Sequence, residues 1–190
     1  MNDILRPLND LQKITLYHGS TTGAIQHFSL EYGRTEVDFG KGVYFTTKLQ
    51  QAIDWSVKHS DSGYVYVCEL DPTNLKILEY RKNCEDFAEI IHLCRIDLED
   101  LACDYIEDFE TADGVYGFLV DSKNPKIKDL ANKYNEGDIS FSEFYGELDA
   151  FLFKSDKDQL CIKSNAGLEN ITIREIVRTT KGKTNTVVAK

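Results

Sequence analysis

The sequence predicts an α+β protein, and three observations carry that reading. Some short runs, rich in β-branched and aromatic residues, alternate with period two, as half-buried strands do. Longer runs repeat their apolar residues every three or four positions, as amphipathic helices do. The two kinds follow one another irregularly, about six strands among four or five helices, which fits α+β better than a doubly wound sheet. No repeat, low-complexity stretch or linker divides the chain, and 190 residues with 42% hydrophobic content suffice for one core. Residues 1–178 are therefore expected to form a single domain.

The first strand is Lys13–Tyr17 (KITLY), with Ile14, Leu16 and then His18 on one parity and Thr15 and Tyr17 on the other. It ends at Gly19, where the missing side chain lets another group approach the backbone. Residues 20–37 read as a polar loop with a helical turn near Gly23–Phe28. A strand at Gly42–Thr46 leads into a helix over Lys48–His59, with Thr47 as its cap and Leu49, Ala52, Ile53 and Val57 as its apolar stripe. Trp55 falls off that stripe at 100° per residue, so it either edges a pocket or sits partly packed on the surface. Gly63–Leu70 (GYVYVCEL) is a strand stopped by Asp71-Pro72, and Leu75–Leu78 is a short one after it.

From Glu85 to Phe109 apolar residues recur at helical steps, so a helix with room for one break near Asp97 packs on the sheet. Asp113-Gly114 turns the chain into a buried strand at Val115–Val120. Asn124-Pro125 opens a helix whose Ile127, Leu130, Ala131 and Tyr134 share a face. Ser140 and Glu143 have the capping-box spacing for a further helix to about Phe153, with Phe144, Leu148 and Phe151 or Leu152 inward. Gln159–Lys163 and Ile171–Val177 are the last strands, and the basic residues 179–190 are expected to be a mobile tail.

A net charge of −10 argues against a broad grip on a phosphate backbone, though a local basic patch would still serve a nucleic-acid substrate. The acidic stretch Asp97–Asp113 is either a solvated helix face or a docking surface for a basic partner. No apolar run approaches the roughly 18 residues of a membrane span, and Met1–Leu11 lacks the features of a secretory signal, so a cytoplasmic protein without a membrane partner is expected. The five cysteines are odd in number and widely spaced, and the four histidines suit no zinc pattern, so neither disulfides nor a metal are expected.

The stretch Leu16–Trp55 carries the functional signal. It reads LYHGSTT, an irregular run, and then DFGKGVYFTTKLQQAIDW. This order resembles the nicotinamide-binding half of the ADP-ribosyltransferase superfamily, and Phe39–Phe45 is most similar to its poly(ADP-ribose) polymerase branch. The whole chain resembles a bacterial family of small ADP-ribosyltransferase-like proteins often found beside toxin–antitoxin partners. The resemblance implies two packed, mostly antiparallel sheets with an NAD cleft between them, flanked by helices. It further implies a mono-ADP-ribosyltransferase that cleaves the nicotinamide–ribose bond and passes ADP-ribose to a macromolecule, protein or nucleic acid. NAD hydrolysis would be a side or main reaction. NAD would be a substrate, no metal would take part, and the protein would act as a toxin with an antitoxin protein as partner.

Losing nicotinamide from NAD develops oxocarbenium-like charge on the ribose, as glycosidic cleavage does. Flat aromatics suit the departing cationic ring, and the resemblance gives that task to Tyr44 and Trp55, while strand parity sends Phe45 to the core. By the same resemblance Gly19 reads the carboxamide with its N–H and C=O, His18 bonds a ribose hydroxyl, and Tyr17 and Ser20 lie beside them. Gly40 and Gly42 frame a turn that aims Tyr44; they match no phosphate-cradle motif. Arg34 either reaches the pyrophosphate or adenine or forms a surface ion pair with Glu31, Glu36 or Asp38. The third catalytic position, usually a Glu opening a late strand, falls on Gln159, and Asp158 would fill it only after a one-residue register shift. Glutamine cannot act as a base. That favours single transfer or hydrolysis over chain elongation, and it leaves an alternative: a regulatory module that binds NAD or ADP-ribose with weak or no turnover.

Overall fold

The structure, a computed structural model, describes residues 12–33, 37–80, 85–95, 104–120, 125–152 and 156–182. In chain order they form β1 (Ile14–Ser20), a 3-10 turn (Leu30–Tyr32), β2 (Val43–Phe45), α1 (Leu49–Ser56), β3 (Ser62–Leu70) and β4 (Ile77–Glu79). There follow α2 (Glu85–Arg95), α3 (Asp104–Thr111), β5 (Gly114–Phe118), α4 (Pro125–Asn135), α5 (Phe141–Leu152), β6 (Asp158–Ile162), α6 (Asn165–Glu169) and β7 (Ile171–Thr180). The class is mixed α+β with two sheets and six α-helices among the described residues.

One sheet runs β1-β3-β7 and is antiparallel throughout; the other runs β2-β6-β5-β4, antiparallel except for the parallel β4–β5 pair. Strand alternation builds the layers. Ile14, Leu16, Tyr66 and Leu70 from the first sheet meet Val43, Phe45, Leu160 and Ile162 from the second in one buried core. On the other face of the second sheet, Phe39, Val115 and Cys161 pack against Phe87, Ile90 and Ile91 of α2, Ile127 and Ala131 of α4, and Phe144 and Leu148 of α5. Over the first sheet's outer face α1 lays Ala52 against Val65 and Val177.

Several expectations are corrected here. Thr47 does not cap α1: its N–H (3.0 Å) and its hydroxyl both go to the Asp158 carboxylate, and the cap position is Lys48 without a side-chain bond. Of the expected stripe on α1, Ala52 and Val57 are buried and Ile53 packs beside Val65 and Val177, whereas Leu49 is exposed and Ser56 is buried in its place, because the helix lies on β1 and β3 along that line. Gly23–Phe28 is irregular, and the helical turn sits at Leu30–Tyr32, where Ser29 Oγ accepts the Glu31 N–H. The tyrosine hydroxyl of Tyr66 ties the irregular run down, accepting the Ile25 N–H (3.0 Å) and donating to the Thr22 C=O (2.8 Å).

The long helical pattern becomes two helices, α2 and α3, with residues 96–103 outside the described set. The short strand after Asp71-Pro72 lies slightly later than expected, at Ile77–Glu79. The capping box is present: Glu143 accepts the Ser140 N–H (2.8 Å) and Ser140 Oγ accepts the Glu143 N–H (3.3 Å). Unanticipated is α6, capped by Ser164, whose Oγ accepts the Gly167 N–H. The expected tail boundary at residue 179 falls inside β7, where Thr179 is buried and its hydroxyl pairs with Ser56 Oγ at 2.6 Å; residues 183–190 lie outside the described set.

Candidate functional site

Among the described residues the sheets touch edge to edge through a single bridge, in which Tyr17 donates its N–H to the Thr46 C=O (2.8 Å) and accepts the Thr46 N–H (3.0 Å). Continued, that antiparallel pairing would set Gly19 against Tyr44, but the Tyr44 C=O is taken by the His18 side chain instead and the edges part. Peptide groups alternate along a strand, so Gly19 turns its N–H and C=O to the same edge as Tyr17, where a cavity now opens. Its lack of a side chain serves a second purpose: a Cβ there would collide with the Ala52 carbonyl of α1. The close seat of α1 on β1 thus depends on Gly19.

His18 spans the opening. Its Nδ1–H donates to the Tyr44 C=O at 2.8 Å. A carbonyl only accepts, so Nδ1 carries the proton and Nε2 of the neutral ring is an acceptor. Phe28 (5.1 Å between ring centroids) and Phe45 (5.6 Å) enclose the imidazole, and burial pushes its pKa down against the opposing pull of the Tyr44 carbonyl.

Tyr44 offers the cavity its ring only. Its hydroxyl donates to the Gly40 C=O (2.8 Å) and accepts the Phe39 N–H (3.1 Å), which buttons the turn at Gly40, where φ is 68°. Burial pushes that phenol far up, so it takes no part in proton transfer. Gly42 is held by a different demand, since a Cβ there would strike Cys161 Sγ on β6. Trp55 comes from α1, which Gln51 pins to β6: Nε2 donates to the Asp158 C=O (2.7 Å) and Oε1 accepts the Asp158 N–H (3.2 Å). One turn on, Trp55 stands at the cavity's rim, 40% exposed, with the Lys58 ammonium 4.6 Å from its ring centroid.

On β6 the two rival residues separate cleanly. Asp158 spends its carboxylate on Thr46 Oγ1 (2.5 Å), on the Thr47 N–H and hydroxyl, and on the Tyr116 hydroxyl (3.1 Å), and it does not border the cavity. It is a clasp between β6 and the start of α1. Gln159 does border the cavity, buried on the side shared with Tyr44 and Cys161, and its Nε2 donates to Asp38 Oδ2 (2.6 Å) and the Phe118 C=O (3.1 Å). Asp38, 1% exposed, also takes the Val120 N–H (2.9 Å).

The cavity has a volume of about 1250 Å³ and brings together His18, Gly19, Asp38, Tyr44, Trp55 and Gln159. That exceeds the about 300–1,000 Å³ of an ordinary small-molecule pocket. Tyr17 and Ser20 also border it, the first bound through its backbone to Thr46 and the second with Oγ accepting the Thr22 N–H (3.2 Å). Arg34 lies outside the described residues. Asp38, Phe28 and Tyr66 escaped the sequence reading; Asp38 stood there only as an ion-pair partner for Arg34, and nothing local marks its bond to a residue 121 positions on.

A family model described as protein of unknown function (DUF3990) matches residues 14–173. The chain belongs to that family. The DUF3990 match spans every element from β1 to α6 and the first residues of β7, so it includes all the cavity residues named above. No curated protein matches the chain. Among the described residues no group of three or more His, Cys, Asp or Glu is placed to hold a metal ion, and no helix is long and apolar enough to cross a membrane.

Proposed function

We propose that this DUF3990 protein has an ADP-ribosyltransferase-like fold and is a mono-ADP-ribosyltransferase whose cavity holds the nicotinamide–ribose end of NAD. The observation that carries the reading is the parted β1–β2 edge, where Gly19 turns both peptide groups to a cavity edged by Tyr44 and Trp55. A carboxamide needs one donor and one acceptor side by side, and Gly19 offers that pair with no side chain in the way. The two aromatic rings suit the pyridinium. His18 Nε2 and Gln159 suit ribose hydroxyls, and fixed acceptors around the sugar favour the positive charge that grows on it as nicotinamide leaves.

No free base stands on β6, because Asp158 is clasped and Gln159 cannot take a proton. The acceptor therefore brings a nucleophile that needs little activation, takes a single ADP-ribose as nicotinamide leaves and gives its proton to solvent, or water takes its place and free ADP-ribose is released. The toxin role, an antitoxin partner and a cytoplasmic setting rest on the sequence resemblance. Incubating the protein with adenylate-labelled NAD and cell lysate tests the reading: label on a macromolecule with nicotinamide release supports it, and a folded protein that gives neither refutes it.

The same buried glutamine favours a second reading, a module that binds NAD or ADP-ribose without turnover. Calorimetric binding with no nicotinamide released over hours would select it.

A further inference from the structure

A glutamine side chain has a donor end and an acceptor end that can exchange places by a half-turn, so a free Gln159 would offer a ligand either one. This one is not free. Its amide nitrogen donates to Asp38 Oδ2 and to the Phe118 carbonyl at 2.6 and 3.1 Å, two acceptors that cannot donate in return. Turned over, Oε1 would face a carboxylate and a carbonyl, and both bonds would be lost. Asp38 cannot swing aside to permit it, because the Val120 N–H holds the same oxygen from β5's exit and the residue is buried. Among the described residues Oε1 takes part in no hydrogen bond, and Gln159 borders the cavity.

We propose that Asp38 is a positioning residue that locks Gln159 with Oε1 toward the cavity, as a dedicated acceptor for a hydroxyl of the bound ligand. With His18 Nε2 the site then offers two acceptors and calls for a ligand rich in hydroxyl donors, a ribose above all. The ribose assignment rests on the NAD reading above; the lock does not. It also explains why β6 carries glutamine: a glutamate at 159 would set two carboxylates at the 2.6 Å now spanned by the Asp38–Gln159 bond, and like charges that close cannot both stay ionised.

Three variants test it at pH 7.5. Gln159→Glu loses roughly 10 °C of Tm, the loss expected from a buried charge left without its partner. The exchange Asp38→Asn/Gln159→Glu removes one of the two facing charges and recovers part of that loss, although the Phe118 carbonyl still loses its donor. Asp38→Ala removes the shorter of the two bonds and leaves only the Phe118 carbonyl to orient Gln159, so affinity per folded molecule for a non-hydrolysable NAD analogue falls roughly three- to tenfold. A Gln159→Glu protein as stable as wild type, or a double variant no more stable than Gln159→Glu, overturns the lock. Wild-type affinity per folded molecule in Asp38→Ala overturns the ligand-facing role of Oε1. Should wild type bind no dinucleotide, the NAD reading falls, and the Tm comparison by itself still upholds or overturns the lock.

Discussion

His18 has its proton fixed on Nδ1 by the Tyr44 carbonyl, so whatever it does for a ligand it does through the Nε2 lone pair. Protonation would turn that acceptor into a donor. Because burial lowers its pKa, NAD binding should be level above the ordinary histidine value of about 6.5 and weaken as pH falls through the lowered one; calorimetry across pH 4.5–8 checks this. His18→Ala should cost roughly 10²-fold in nicotinamide release. Trp55→Ala should cost about 1–2 kcal/mol of NAD binding with little change in Tm, since the indole is largely exposed. Gly19→Ala should do the reverse of Trp55→Ala in stability, losing about 1–3 kcal/mol because the methyl meets the Ala52 carbonyl, as chemical denaturation would show. At this scale the motif was legible: His18, Gly19, Tyr44, Trp55 and Gln159 all border one cavity. What the sequence hid was the work of hydroxyls and amides, such as the Tyr44 phenol closing its own turn. Local spacing does not reveal which polar atoms meet.

Elements are positioned by a few long-range polar clasps. Asp158 gathers Thr46, Thr47 and Tyr116 and, with Gln51, fixes the start of α1 against β6, which is how Trp55 reaches the rim. Asp158→Ala strands these donors and should cost about 3 kcal/mol or more, with a Tm loss of roughly 6–12 °C, while NAD affinity per folded molecule falls no further than in Trp55→Ala, since Gln51 still holds the backbone at 158. A catalytic Asp158 would give the opposite pattern. In the helical layer, His92 of α2 is buried against Tyr134 and Phe144, and its Nε2 has no hydrogen-bond partner among the described residues. Burial lowers its pKa, so the unfolded chain binds its proton more readily, and stability is lost as pH falls below about 6.5. His92→Leu should flatten that acid loss in thermal melts. Helices and strands were legible from periodicity, as at α4 and the capping box of α5, yet Thr47 was misassigned because a carboxylate 111 positions away outbids the helix end for its hydroxyl.

At the scale of the whole molecule the cavity exists because two sheets share a core but, among the described residues, only one bridge along their adjoining edge. The α+β class could be read from strand and helix patterns, whereas the parting of β1 from β2 could not, since it turns on the His18 side chain taking the carbonyl of a residue 26 positions away. Ligand bound only by the folded state raises stability by mass action, so NAD at about a hundred times its Kd should add about 2.7 kcal/mol and lift Tm by roughly 5–10 °C. The most direct test of the central claim is a calorimetric titration of a non-hydrolysable NAD analogue into wild type and His18→Ala side by side. The account predicts one saturable site in wild type and affinity about tenfold weaker or worse in the variant at unchanged fold. No binding to folded wild type, or equal binding by both proteins, would contradict it.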